Sequence, residues 1–245
     1  MRSCGPLVRF LGTGTPLGLR GLHQSCILVE TRGHRVLVDC GMTALTSLGR
    51  IGIDPAEIDA VVISHLHGDH FGGLPLLLLD ATLRARSRPL TIAGPAATRR
   101  RVEQALELFG WTSARMDAAT FVRLVPGVAA PIAGCEVTAV DVAHDPATAP
   151  TGLRLAADGA TLGYAGDAGW SDALVELARG ADLFICGVWS FDTPDASFID
   201  LATLLGYRDR LACRRIILTH LGPSMLEHLP DVPLEVATDG LMIQL

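Results

Sequence analysis

The chain has 245 residues, of which 49% are hydrophobic, enough for one sizeable core, and we predict a single domain over residues 1–245. No run reaches about 18 apolar residues and no apolar signal segment follows Met1, so we expect no membrane partner and a cytoplasmic location. The net charge of −6 argues against a general nucleic-acid binder, whose phosphate contacts need a basic surface.

The first predicted elements are a strand over residues 7–11 and a hairpin of two strands over residues 26–30 and 35–39. The first strand runs into a loop, Gly12-Thr13-Gly14-Thr15-Pro16, whose two glycines would let the backbone approach a ligand closely. The hairpin ends at Asp39, a carboxylate placed where a strand gives way to a loop.

The most restrictive pattern in the chain is His-x-His-x-Asp-His, formed by His65, His67, Asp69 and His70. A short apolar, β-branched run at residues 60–63 precedes it, so the cluster lies at the carboxyl end of a predicted strand, where α/β folds place their chemistry. Neutral imidazoles and a carboxylate suit zinc or a similar divalent ion. Four such groups are too many for one tetrahedral ion that also needs distant ligands, so they suggest two ions sharing the loop.

Strands and helices are predicted along the rest of the chain. The further strands cover residues 90–93, 121–125, 136–143, 151–156, 161–165, 183–186, 216–218 and 241–245. The helices cover residues 43–50, 74–83, 96–109, 171–178 and 199–210, and another begins at Asp54. Strand-rich halves that are each closed by helices imply an α/β fold, an αββα sandwich with its ligand loops along one edge. His144, Asp167 and His220 each follow a predicted strand and would reach that edge.

The His-x-His-x-Asp-His pattern resembles the signature of the metallo-β-lactamase superfamily of hydrolases. The Leu-Gly-Thr-Gly-Thr-Pro segment at residues 11–16 is similar to the first strand and loop of one branch, which contains tRNA 3′-endonucleases (RNase Z) and small phosphodiesterases. The resemblance implies a four-layer αββα metallo-β-lactamase sandwich as a single domain.

The resemblance also implies that seven residues hold two divalent ions, expected to be zinc, with manganese and iron as alternatives. The first ion takes His65, His67 and His144, the second takes Asp69, His70 and His220, and Asp167 bridges the two. The implied nucleophile is a hydroxide that bridges the ions, and Asp69 is expected to take its proton. Asp39 matches an aspartate that supports the metal loop by a hydrogen bond to a ligand. His23 and His228 do not fit the ligand order and are expected to be non-ligands near the surface.

Two departures separate the chain from the tRNA-processing members. Their long tRNA-binding arm lies between the residues that match His144 and Asp167, which here are only 23 positions apart (167 − 144). Relatives also carry a Glu and a later His that assist the leaving group, where this chain has Gly187 and Phe198. We expect an apolar pocket over the metals instead, with ordinary core packing as the alternative, formed by Trp189, Phe191 and Phe198.

These features predict a dinuclear metal-dependent hydrolase of small phosphoesters, either phosphodiesters or activated aryl phosphotriesters. A lactone or carboxylic-ester hydrolase of the same fold is the alternative enzyme, and a metal-binding protein without turnover is the alternative outside enzymes. The expected partner is a small-molecule ester, and no tRNA is expected. Relatives are commonly homodimers, which suggests a homodimer here by analogy alone.

Overall fold

The computed structural model describes residues 5–245, in which two β-sheets are flanked by helices. The strands are, in chain order, β1 (Leu7–Gly12), β2 (Cys26–Glu30), β3 (Arg35–Val38), β4 (Ala60–Val62), β5 (Thr91–Gly94), β6 (Thr120–Arg123), β7 (Ala129–Ile132), β8 (Cys135–Asp141), β9 (Thr151–Ala157), β10 (Ala160–Tyr164), β11 (Leu183–Gly187), β12 (Ile216–Thr219), β13 (Glu235–Val236) and β14 (Met242–Gln244). The α-helices are α1 (Ala44–Arg50), α2 (Gly68–Phe71), α3 (Leu74–Leu83), α4 (Thr98–Leu108), α5 (Asp172–Ala178), α6 (Leu201–Gly206) and α7 (Pro223–Glu227). Among these described residues, none of the helices has the length and apolar character needed to cross a membrane.

The two sheets have seven strands each and direct their loops to a common edge. The first has the order β14-β1-β2-β3-β4-β5-β6, and the second has the order β13-β12-β11-β10-β9-β8-β7. Strands β3 to β6 run parallel to one another, as do β10 to β13. The carboxyl ends of such strands gather the residues that follow them. Asp39 follows β3, the loop of residues 64–67 follows β4, and Asp167 and His220 follow β10 and β12.

Side chains alternate between two buried faces on each sheet, which produces four layers. In β4, Ala60 and Val62 belong to the cluster that fills the space between the sheets, whereas Val61 packs against the buried side chains of α1, α3 and α4. In β11, Ile185 belongs to the same inter-sheet cluster, whereas Phe184 packs with α5, α6 and α7. Burial on both faces explains why these strands read as continuous apolar runs. The expected αββα sandwich is therefore confirmed.

The structure also differs from the predicted elements at several points. The helix expected over residues 199–210 is divided into α6 and a 3₁₀ turn, Arg208–Arg210, and α6 begins only after Asp200, whose carboxylate accepts a hydrogen bond from the Thr203 N–H at 2.8 Å. The helix expected from Asp54 is a single 3₁₀ turn, Pro55–Glu57. Strand β7 and helices α2 and α7 had no predicted counterpart. Strand β7 lies at a sheet edge and contains Pro131, which edge strands tolerate because one side needs no donors.

Candidate metal centre

The His-x-His-x-Asp-His segment begins in the loop after β4 and continues into α2, and backbone hydrogen bonds attach it to two other loops. The Leu66 N–H donates to the Thr148 carbonyl at 3.0 Å, and the His70 carbonyl accepts from Cys40 N–H at 2.6 Å. The Thr151 N–H donates to the carbonyl of Ser64 at 3.0 Å. These contacts hold the end of β4 against the loop before β9 and the loop after β3. Residues that are distant in sequence therefore lie close together at this edge.

Seven side chains converge in two groups that could each hold a metal ion. One group consists of His65, His67, His144 and Asp167, and the other consists of Asp69, His70 and His220; in each group, one ligand atom per residue lies within 4.8 Å of the others. In the first group, His67 Nδ1 lies 3.1 Å from both His65 Nε2 and His144 Nε2. The division separates His65, His67 and His144 from Asp69, His70 and His220, and it places Asp167 with the first three.

Asp167 lies between the two groups. Its Oδ2 is 3.9 Å from His65 Nε2 and 3.3 Å from His220 Nε2, and its Oδ1 is 3.4 Å from His70 Nε2. A carboxylate in this position can reach both groups, because its Oδ2 lies near imidazoles of each group and its Oδ1 lies near His70 of the second.

Each of the five histidines directs one ring nitrogen into the cluster and has a partner near the other. The partner atoms and distances are Ser64 Oγ at 3.1 Å for His65, Asp145 Oδ2 at 3.6 Å for His67, Asp39 Oδ2 at 2.7 Å for His70, the Ser197 carbonyl at 2.8 Å for His144 and Ser25 Oγ at 3.1 Å for His220. Metal-binding histidines typically use their second nitrogen in this way, which fixes the tautomer and the ring orientation.

Asp39 supports one histidine in each of the two groups. Its fully buried carboxylate accepts hydrogen bonds from His70 Nδ1 at 2.7 Å and from Tyr164 OH and Ser64 Oγ, both at 2.8 Å. Because Ser64 Oγ also lies beside His65, Asp39 supports one histidine of each group. Burial, followed by the charge of Asp39, raises the pKa of Tyr164, so its hydroxyl stays protonated and donates. Asp39 has a φ of 58°, a left-handed conformation that this hydrogen-bond network maintains.

His220 is also in a left-handed conformation, with φ at 55°, and is held by the loop after β1. Its N–H donates to the Thr13 carbonyl at 2.9 Å, and the N–H and Oγ1 of Thr13 donate to Asp239 Oδ1 at 2.9 and 2.8 Å. A Cβ on Gly12 would lie 1.9 Å from the Gln24 carbonyl oxygen. Gly12 therefore allows close packing of the chain against itself, and the approach of a ligand to this loop stays a prediction.

The polar atoms of the cluster fit divalent cations. Asp69 Oδ2 and Asp167 Oδ1 are buried and have no hydrogen-bond partner. Burial lowers the pKa of His65 and His220, which favours the neutral imidazoles that bind metals. Burial also acts to lower the pKa of His70, but the carboxylates of Asp167 and Asp39 outweigh it and raise that pKa well above its ordinary value. The carboxylates thus attract positive charge, and imidazole with carboxylate is the donor set that zinc-like ions prefer.

A cavity of about 470 Å³ opens over this cluster. Trp189 and Phe198 line it, as the sequence led us to expect, and Pro16, Gln24 and Met42 line it without having been predicted. The lining is completed by His67, Gly68, Asp69, Asp167 and His220.

Phe191 does not line the cavity, which corrects the expectation for this residue. Its ring stacks on His228 with centroids 4.6 Å apart, and its N–H donates to Ser224 Oγ at 3.2 Å. The segment after Trp189 therefore turns toward α7. No local sequence pattern distinguishes Phe191 from Trp189 and Phe198, because the turn depends on a contact with a residue 33 positions away.

His23 and His228 both lie outside the two groups. His23 Nδ1 lies 2.8 Å from Ser47 Oγ, and its Nε2 lies 2.9 Å from an Arg50 guanidinium nitrogen. His228 is exposed, and its Nδ1 lies 2.9 Å from the Ser224 carbonyl. Both ring nitrogens of His23 thus have partners in α1.

The sequence and the fold are similar to those of known proteins. A family model described as the β-lactamase superfamily domain matches residues 34–221. Ribonuclease Z from Mycobacterium bovis is 31% identical over 191 residues, which cover 73% of this chain and 68% of that protein. Ribonuclease BN from an Enterobacter species is 40% identical over 108 residues, which cover 42% of this chain and 35% of that protein.

Solved structures share the fold over nearly the whole chain. The metallo-β-lactamase fold protein YhfI from Bacillus subtilis has a TM-score of 0.80 at 19% identity, with 98% of this chain and 99% of that chain covered. The short form of human tRNase Z has a TM-score of 0.76 at 24% identity, with 97% of this chain and 98% of that chain covered. The chain therefore belongs to the β-lactamase superfamily, and it is a hydrolase of the metallo-β-lactamase fold in the RNase Z-like branch.

Proposed function

We propose that this protein is a dinuclear metal-dependent hydrolase of small phosphoesters whose leaving groups are activated, such as aryl phosphodiesters or phosphotriesters. The observation that carries the proposal is the pair of ligand groups joined by Asp167, next to a cavity whose remaining lining is apolar or uncharged. The RNase Z relative belongs to a group of phosphodiester-cleaving enzymes, which supports phosphoester chemistry in this chain.

The proposed reaction divides its work between the metal ions and the protein. Two divalent ions, expected to be zinc, would supply positive charge for the reacting phosphoryl oxygens and would activate a water molecule. Asp69 is the proposed proton acceptor for that water, because its Oδ2 is buried, unpartnered and within 3.6 Å of His220 Nε2. Trp189 and Phe198, whose ring centroids are 5.2 Å apart, would hold an aryl group over the metals and exclude water from that side.

The residues that the structure describes offer no evident acid for the leaving group. A Cβ on Gly187 would lie 2.8 Å from the Gly166 carbonyl oxygen, so an acidic side chain cannot occupy that position without moving backbone. Asp195 is exposed and accepts from Ser197 N–H at 2.6 Å. Within residues 5–245, every ionisable side chain that lines the cavity is also a candidate metal ligand. General acid catalysis is typically worth about 10²–10⁴-fold, so substrates that need no proton on the departing oxygen should be favoured.

Precursor tRNA is not the proposed substrate. The stretch between His144 and Asp167 consists of one 3₁₀ turn and the hairpin of β9 and β10, which leaves no residues for an arm that could grip tRNA. The net charge of −6 also opposes the phosphate contacts that a polynucleotide needs. A small ester is therefore the proposed partner.

The test is the dependence of rate on the pKa of the leaving group, measured with a series of methyl aryl phosphates and the metal-loaded protein. We expect log(kcat/KM) to fall steeply as the pKa of the departing phenol rises, and His67→Ala should remove both activity and metal. A flat dependence, or efficient 3′-processing of precursor tRNA, would contradict the proposal. Greater activity on lactones or carboxylic esters than on any phosphoester would assign the chain to that alternative class instead.

A further inference from the structure

The cavity over the candidate ligands has two walls that come from different sheets. Gln24 and Met42 precede β2 and follow β3 of the first sheet, whereas Trp189 and Phe198 follow β11 of the second sheet. Four candidate ligands line the same cavity, so a group held by them is open to both walls. When an aryl group lies against the aromatic wall, the wall that contains Gln24 is free for the other atoms of the ester.

The side-chain amide of Gln24 has a fixed orientation. The Met42 N–H donates to Gln24 Oε1 at 2.8 Å. Because a backbone N–H can only donate, the atom that faces it must be the amide oxygen, which places the NH₂ group on the other side of the amide. Within residues 5–245 Nε2 has no hydrogen-bond partner, and it is not buried, so it is open to solvent. Since Gln24 lines the cavity, this donor is available to a molecule bound there.

The backbone of Gln24 is also fixed. Its N–H donates to Thr43 Oγ1 at 2.9 Å, and its carbonyl oxygen lies where a Cβ on Gly12 would be only 1.9 Å away. A Cβ on Gly41 would lie 2.4 Å from the Asp69 carbonyl oxygen and 2.6 Å from the Gln24 Cβ, which places the Gln24 side chain beside the segment of candidate ligands. A donor that is fixed before the substrate binds loses little freedom on binding and needs no reorganisation during the reaction.

We propose that the Gln24 amide donates a hydrogen bond to one of the two non-bridging oxygens of a bound phosphodiester. These oxygens carry negative charge, which strengthens a hydrogen bond from an N–H group. Gln24 gives up no proton: the water oxygen bonds to phosphorus, the water's proton passes to Asp69, and the aryl group leaves as aryloxide. This inference rests on the proposed function and adds a requirement to its substrate class, a non-bridging oxygen that can accept from Gln24.

Sulfur substitution tests the contact, because sulfur is a weak hydrogen-bond acceptor. The substrates are methyl 4-nitrophenyl phosphate and the two enantiomers of methyl 4-nitrophenyl phosphorothioate, in which sulfur replaces one or the other non-bridging oxygen. Gln24→Ala should lower kcat/KM on the oxygen ester by about tenfold to a hundredfold, the range for a hydrogen bond to a charged group. One enantiomer should show the same loss, and the other, whose sulfur faces Gln24, should show a much smaller loss.

Two further variants separate the contact from a structural role. Gln24→Glu keeps an oxygen for the Met42 N–H but turns a carboxylate oxygen toward the anionic ester, so its loss on the oxygen ester should exceed that of Gln24→Ala. Thr43→Val is the matched control, because it removes the acceptor of the Gln24 N–H and leaves the side-chain amide in place; any loss should be equal on all three esters.

Three results would overturn the inference. Equal losses on all three esters in Gln24→Ala would assign Gln24 to structural support or to the leaving oxygen. A smaller loss in Gln24→Glu than in Gln24→Ala would mean that only the contact with Met42 matters. Loss of metal from both Gln24 variants, measured by elemental analysis, would mean that Gln24 supports the candidate ligands.

A binding measurement separates this inference from the proposed function. Dimethyl phosphate, whose methoxide groups depart too slowly for turnover, is titrated into the metal-loaded protein by calorimetry, and Gln24→Ala should weaken its binding by about tenfold. Weaker binding in this variant while none of the nitrophenyl esters is hydrolysed would support the contact and refute only the proposed function. Unchanged binding together with unchanged hydrolysis of all three esters would refute the contact and leave the proposed function standing.

Discussion

Replacing Asp39 by asparagine should weaken metal binding in both ligand groups. The carboxylate accepts from the Ser64 N–H with Oδ1 and from three side chains with Oδ2. In its best orientation an asparagine keeps its oxygen toward His70 and presents an N–H₂ to the Ser64 N–H, which is then unpaired. An unsatisfied buried donor costs about 1–3 kcal/mol of unfolding free energy. Partners of metal-bound histidines typically contribute about 10–100-fold in metal affinity, so a loss of that size is expected.

The assay is competition for Zn²⁺ between a chelator and the metal-free protein, with chemical denaturation measured in parallel. Tyr164→Phe removes one of the donors to Asp39 but leaves the contact with His70, so its affinity loss should be under about tenfold. Asp182→Asn is the matched control, because Asp182 accepts from the Thr161 N–H at 2.9 Å and lies outside both ligand groups. Asp182→Asn should lower the free energy of unfolding and leave the zinc affinity unchanged. Unchanged zinc affinity in Asp39→Asn would refute the view that this carboxylate orients the ligands.

Three further outcomes follow from the site. Asp167→Ala should disturb both metal ions and His220→Ala chiefly one, as elemental analysis of each variant would show; two retained metals and normal turnover in Asp167→Ala would mean that it does not bridge. Asp239→Asn should reduce the metal content, because Asp239 positions the Thr13 loop and the Thr13 carbonyl accepts from the His220 N–H. A full metal content together with a lowered Tm would mean that Asp239 contributes to stability alone. Because burial lowers the pKa of His65, the unfolded chain binds more protons than the folded one below about pH 6.5, so metal-free protein should lose stability as pH falls there. His65→Asn should reduce the dependence of the unfolding free energy on pH, measured by denaturation at several pH values. An unchanged dependence would contradict the lowered pKa of His65.

Elements with strong local signals were predictable from the sequence. Helix α3 was expected over residues 74–83 and has those bounds, because Gly73 and Pro75 mark its start and its leucines pack on the first sheet. The metal loop was predictable because its four polar residues lie within six positions. The start, the end and the periodicity of such segments are encoded in their local sequence. Tertiary contacts then stabilise a conformation that the local sequence already favours.

Elements that depend on distant contacts were not predictable. Ser25 contacts the candidate ligand His220 across 195 positions, and Tyr164 donates to the supporting Asp39 across 125 positions. Nothing near either residue in the sequence marks that role. Strand β7 is short and mostly exposed, so its conformation comes from pairing with β8. The final strand, β14, pairs with β1, and only the assembled fold shows that it joins the first sheet.

The contact between Asp239 and Thr13 has a consequence for how the site is made. All seven candidate ligands have been synthesised once the ribosome reaches residue 220, but the residue that fastens the Thr13 loop comes 19 positions later (239 − 220). A nascent chain whose Asp239 is still inside the ribosome thus contains every candidate ligand. The contact that holds His220 in its left-handed conformation is not yet secured at that stage. Stable metal uptake should therefore come late in synthesis, after the strand that follows Asp239 has paired with β1 and the first sheet is complete.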